Sequence, residues 1–162
     1  LVAAHRGVLY NSKPIVPMAR LTPPKPSPTL EQAVFIAQAA QEKKAGEVLV
    51  LDVGAMTSIA DYFVFASGDS IPQVRVIASF IEKVMSTRYE ISPDIEGKET
   101  ANWILLDYGD IIVHIFKSDI RKYYALESMW ADAPQISIPE SRKPFPQVVR
   151  APKAPGKVAR LS

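Results

Sequence analysis

Cysteine is absent from this chain of 162 residues, and histidine is limited to His5 and His114. Without a thiol there is no disulfide framework, thiolate metal site or cysteine nucleophile, a composition compatible with a reducing compartment. One histidine near the N-terminus and one inside an apolar run do not form a ligand cluster, so no metal is expected. The seven glycines, at 7, 46, 54, 68, 97, 109 and 156, never fall as Gly-x-Gly. Dinucleotide fingerprint, Gly-Lys-Ser/Thr phosphate loop and Gly-x-Ser-x-Gly elbow are all missing, so no cofactor is expected. No apolar run approaches the roughly 18 residues of a membrane-spanning helix, so no membrane partner is expected.

Acid is missing from both ends. Residues 1–30 carry Arg6, Lys13, Arg20 and Lys25, and residues 141–162 carry Arg142, Lys143, Arg150, Lys153, Lys157 and Arg160, with no Asp or Glu in either. All 17 acids therefore lie in 31–140 against nine bases, so a middle of −8 sits between ends of +4 and +6. Ten of the 14 prolines also lie before residue 29 or after residue 143, and with Pro134 and Pro139 beside that boundary only Pro72 and Pro93 are deep in the middle. Basic, Pro-rich segments bury too little apolar area to fold alone. They read as extended tails, 1–28 and 135–162, flanking one domain at 29–134. Such tails suit nucleic acid, while the acidic domain repels phosphate and suits a basic protein surface. The pairing points to a ribonucleoprotein.

Periodicity orders the middle. A capping-box pattern at Thr29-Leu-Glu-Gln32 opens a helix with Ala33, Ile36, Ala37 and Ala40 on one face, stopped at Gly46. Residues 48–53 and 62–66 read as buried strands. Ser70 caps a second helix with Pro72 in its first turn and an apolar stripe of Val74, Ile77, Ala78, Ile81, Val84 and Met85. A weaker strand falls near 89–95. A last helix starts at Ser118, turns Ile120, Tyr123, Leu126 and Trp130 inward, and ends before Pro134. The order helix, strand, strand, helix, strand, strand, strand, helix predicts a mixed α/β sheet with helices packed on it.

The stretch 102–116 carries the most information. Two apolar runs flank Asp107-Tyr-Gly-Asp110, a hairpin turn. Centring it on Tyr108-Gly109 sets Trp103 opposite His114 and Leu105 opposite Ile112. Ile104, Leu106, Ile111, Val113 and Ile115 then form an aliphatic core face. The other face presents Trp103, His114 and Phe116, and a large aromatic on the more polar face is a common start of a partner surface.

Enzymatic readings are weaker. His114 as a general base lacks an orienting acid. Ser67-Gly-Asp-Ser70 at a helix start is a phosphate-binding candidate, but Asp69 puts negative charge there and an ordinary cap explains it. Asp94-x-Glu96 is the one acidic i, i+2 pair, the spacing a metal-dependent nucleotidyltransferase needs on a strand.

Several separated motifs carry a resemblance: Leu51-Asp-Val, Thr57-Ser-Ile-Ala-Asp-Tyr-Phe-Val64, Ser67-Gly-Asp-Ser70, Gln73-Val, Ile77-Ala78, Glu96-Gly97, the 103–116 hairpin, and Tyr124-x-Leu-Glu-x-x-Trp130 with Ala-Asp-Ala-Pro134. In order and spacing, from about Leu30 to Pro134, they resemble the ribosomal silencing factor family, also called Iojap. The resemblance implies a nucleotidyltransferase-like fold lacking the catalytic carboxylates, and a non-enzymatic role. Family members bind the universal ribosomal protein numbered fourteen on the large subunit, block joining of the small subunit, and in mitochondria accompany large-subunit assembly. Carried over position by position, the partner-binding set is Trp103, Ile104, Tyr108, Asp110 and His114. Tails contacting rRNA complete the expectation. Nucleotidyl transfer through Asp94 and Glu96, or RNA binding driven by the tails alone, are the alternatives. An acid-poor segment before Leu30 favours the mitochondrial matrix over plastid stroma or bacterial cytoplasm. Mitochondrial resemblance adds a Leu-Tyr-Arg-motif protein with an acyl carrier protein as neighbours.

Overall fold

The computed structural model describes residues 25–141 and 144–145. Of the ten basic tail residues, Lys25 is described, on the surface; Arg6, Lys13, Arg20, Arg142, Lys143, Arg150, Lys153, Lys157 and Arg160 lie outside the described residues.

Helix α1 spans Pro28–Glu42. Its cap is Ser27, whose hydroxyl accepts from the Leu30 N–H at 3.1 Å, so the expected cap Thr29 lies inside the first turn. Pro28 fits that first turn because its missing N–H has no helical partner to lose. The helix stops at Lys43 and Lys44, the latter at φ +59, and Gly46 opens the next strand instead of ending the helix. Strand β1 (Gly46–Asp52) and β2 (Tyr62–Gly68) follow. Helix α2 (Ile71–Tyr89) is capped by Ser70 as expected, and all six residues of its predicted stripe are buried. Strands β3 (Asp94–Glu96), β4 (Trp103–Asp107) and β5 (Ile111–Lys117) come next.

With a short β6 (Gln135–Ile136), the sheet has six strands in the order β3-β4-β5-β2-β1-β6, and among these pairs only β2 and β5 run parallel. Parallel strands need a long crossover, which α2, β3 and β4 supply. Helices α1 and α2 close one face over Val50, Val64, Ala66, Ile104, Leu106, Ile111, Val113 and Ile115. The mixed α/β sheet with packed helices is the architecture that the apolar periodicity predicts.

The C-terminal part departs from expectation. The last helix is two pieces: α3 (Ser118–Tyr124), then a 3-10 turn at Leu126–Trp130, divided by Ala125 at φ +44. Left-handed backbone at Ala125 ends the first piece, so the single inward stripe never forms and Tyr123 stands 81% exposed. Ser118 does not cap; its hydroxyl donates to the Gly68 carbonyl at 3.1 Å. Residues 135–136, expected in the tail, form β6 against Val50 and Leu51. Beyond it, Gln38 donates to the Pro139 carbonyl at 2.8 Å, and the Phe145 ring packs 5.3 Å from Phe35 and 5.6 Å from Phe80. The chain therefore returns over α1 and α2 after Pro134. Among the described residues no helix is long and apolar enough to cross a membrane.

Candidate docking surface

The hairpin is registered two residues away from the predicted pairing. Trp103 pairs with Phe116, Leu105 with His114 and Asp107 with Ile112. The loop is Gly109–Asp110, closed by the Tyr108 N–H donating to the Ile111 carbonyl at 2.9 Å. Gly109 takes φ +86, and the Asp107 carboxylate accepts the Gly109 N–H at 2.8 Å. A two-residue loop wants glycine where φ is positive, which moves the turn centre along by one residue. A shift of two in pairing leaves every side chain on its expected face.

Facing away from α1 and α2, the sheet carries Leu49 and Leu51 on β1, Phe63 and Phe65 on β2, and Ile112, His114 and Phe116 on β5. A roof of Ile120, Leu126, Trp130 and Ala133 covers this part. It is held by Arg121, buried, whose guanidinium donates to Glu127 at 2.9 Å and lies 3.4 Å from the Ser67 hydroxyl. The roof stops short of β4 and β3. Trp103, Leu105 and Asp107 remain partly exposed there, with Asp94 and Glu96 on the edge strand exposed beside them. Directly opposed residues share a face, and Asp94 pairs with Asp107 while Glu96 pairs with Leu105. From the roof, Tyr124, 56% exposed, reaches over to lie 5.5 Å from the indole of Trp103, with Tyr123 edge-on behind it at 5.1 Å. An apolar strip of Trp103, Leu105 and Tyr124 thus meets solvent along an acidic margin.

The predicted contact set does not assemble on one face. Trp103 lies at the centre of the strip. Ile104 is 1% exposed under the helices, so it has no surface to offer a partner. Tyr108 also packs on the helix side, its hydroxyl buried with no hydrogen-bond partner among the described residues and its pKa pushed up by burial and by the Glu82 carboxylate. Asp110 is exposed in the turn, where its carbonyl accepts from the N–H groups of Asp61 and Tyr62. His114 is 5% exposed, behind the strip. Burial lowers its pKa to about 4, opposed by the Glu127 carboxylate, which leaves a neutral ring at neutral pH.

Leu105, Tyr123 and Tyr124 were outside the predicted set. Strand alternation alone puts Leu105 beside Trp103. Tandem tyrosines on a helix cannot both point inward, since neighbours in sequence do not share a face.

The alternative chemistry finds less. Ser70 is an ordinary cap, accepting the Gln73 N–H at 3.3 Å, and the Ser67 hydroxyl is spent on the Gly46 carbonyl. Asp94 and Glu96 are exposed on the edge strand β3, and among the described residues no group of three or more His, Asp or Glu side chains is arranged to hold a metal.

Residues 26–160 match the family described as ribosomal silencing factor during starvation, and the chain belongs to that family. A protein of Halalkalibacterium halodurans named ribosomal silencing factor is 40% identical over 100 residues, covering 62% of this chain and 86% of the relative. The chloroplastic protein Iojap of Arabidopsis thaliana is 32% identical over 111 residues, 68% of this chain and 46% of the relative. A mouse protein named mitochondrial assembly of ribosomal large subunit protein 1 is 27% identical over 93 residues, 56% and 41% of the two chains. A crystal structure of a Bacillus halodurans protein superposes with a TM-score of 0.56 at 35% identity, covering 67% of this chain and 96% of that one.

Proposed function

We propose that this protein acts by occupancy: it docks on the large ribosomal subunit through the open strip around Trp103 and keeps the small subunit from joining. The single observation carrying this reading is that strip, an aromatic and aliphatic surface left uncovered on an otherwise closed sheet in a chain of the silencing family. Its chemistry asks for a partner with an apolar patch framed by lysines and arginines, since Asp94, Glu96 and Asp107 line the margin. The universal ribosomal protein numbered fourteen, a basic protein on the subunit-facing side, is the partner the family resemblance supplies. No chemical step is required, so the role is non-enzymatic.

The basic tails add affinity by lying on rRNA, through linked binding instead of a wider interface. A role in large-subunit assembly in the mitochondrial matrix, beside a Leu-Tyr-Arg-motif protein with its acyl carrier protein, is supported by the acid-free N-terminal segment and by the name of the mouse relative. The plastid relative makes the organelle itself part of the test. Gradient sedimentation of purified subunits with and without the protein tests the reading. The expected result is protein travelling with large subunits and a reduced peak of joined ribosomes; unaltered joining with the protein left at the top of the gradient would refute it.

A further inference from the structure

Trp103 owes its posture to one buried group. Its indole N–H donates to His114 Nδ1 at 3.2 Å, on the diagonal of the β4–β5 ladder. Indole nitrogen is a donor only, so the ring nitrogen that meets it must be unprotonated. The imidazole has no freedom to turn away. It stacks on Phe65 at 5.0 Å and 12°, lies 6.1 Å from Phe116 at 16°, and takes the edge of Phe63 at 5.4 Å. The indole itself rests on Phe116 at 4.9 Å, and Tyr124 tilts against it from the roof. Stacking on Phe116 alone leaves the indole free to slide in its plane. The hydrogen bond removes that freedom and fixes which edge meets solvent.

We infer that His114 is the positioning residue of the docking surface: as a neutral acceptor clamped among aromatic rings, it holds the Trp103 indole in its binding posture without touching the partner. This inference rests on the docking reading for its consequence, though not for its geometry. Pre-set side chains lose less freedom on binding, which is where affinity is gained without new contacts. The ring packing explains why the acceptor is histidine: among side chains that stack on Phe65, imidazole is the one that also offers a lone pair in the ring plane.

The test uses the full chain labelled with 15N-tryptophan, Trp103 and Trp130 being told apart by a Trp130→Phe variant. In the parent, the Trp103 indole N–H should exchange with solvent at least tenfold more slowly than a free indole. His114→Phe keeps a ring and removes the acceptor; His114→Asn sets an amide oxygen close to where Nδ1 was. Exchange should quicken about tenfold in His114→Phe and return toward the parent in His114→Asn, and affinity for large subunits should fall and recover in step. Fast exchange in the parent overturns the inference without any variant, so a His114→Phe chain that failed to fold would not shield it. A folded His114→Phe that binds large subunits like the parent, while Trp103→Ala does not bind, also overturns it. If Trp103→Ala binds like the parent, the docking reading fails, and the exchange data still decide whether His114 holds the indole.

Discussion

The two faces of the six-stranded sheet are made by the same strands and finished differently. Under α1 and α2, alternate positions of β4 and β5 are aliphatic and closed, from Ile104 to Ile115. On the opposite face the same strands carry rings, and their cover stops at Tyr124. A face that only has to exclude water can be filled with branched aliphatics, where volume is the main constraint. A face that has to exclude water on one side and present a surface on the other needs flat, stiff groups with a polar handle. Trp103 and His114 are such groups, and their hydrogen bond lies where the covered and open parts meet. Core packing and the open strip are thus divided between even and odd positions of one strand.

Adjacent residues break or sharpen that division. Ile104→Ala, on the closed face, should cost about 2–5 kcal/mol of stability through the cavity it leaves. Leu105→Ala, on the open face, should cost under about 1 kcal/mol yet weaken large-subunit binding roughly tenfold. Denaturant melts and subunit binding on both variants check the pair; equal stability losses would erase the distinction between the faces.

Gly97 has an intermediate effect. It sits at φ +80, and a Cβ there would run into the carbonyl oxygen of Trp103. Gly97→Ala should cost about 1–3 kcal/mol and displace the start of β4, so binding should fall together with stability.

Acid probes the neutral imidazole. His114 has its pKa lowered from 6.5 to about 4 by burial. A lowered histidine pKa means that the unfolded chain binds the proton more readily than the folded one. The contribution is therefore complete above pH 6.5, is lost as pH falls toward 4, and changes no further below that. The loss should be on the order of 3 kcal/mol. Melts of the parent should therefore lose stability more steeply between pH 6.5 and 4 than those of His114→Asn; parallel slopes would show that His114 is not the titrating group.

The smallest effect belongs to Tyr108. Its hydroxyl is buried without a hydrogen-bond partner among the described residues, so Tyr108→Phe should leave stability unchanged or raise it by up to about 1 kcal/mol. Binding should not move, because that ring packs on the helix side.

Much of the fold was legible in the residues. The stripe of α2 and the two faces of the hairpin follow from period alone, because periods of 3.6 and 2 survive small errors in boundaries. Register was not legible: it hung on whether Tyr108 or Gly109 began the loop, and only backbone conformation decides that. The break at Ala125 was hidden because alanine, a strong helix former, adopts left-handed backbone there. Short β6 and the return to Phe145 depend on contacts with β1, Phe35 and Phe80 far away in sequence. Trp103 stands out in the sequence as a large aromatic on the more polar strand face, whereas Ile104 and Tyr108 follow only from position in the family pattern and belong to the other face.

Whether the open strip docks is decided by a binding isotherm of the folded Trp103→Ala chain on purified large subunits. The expected result is a loss of about 2–4 kcal/mol, thirtyfold or more in affinity, with the melting midpoint little changed. Binding equal to the parent by a variant that remains folded would contradict it.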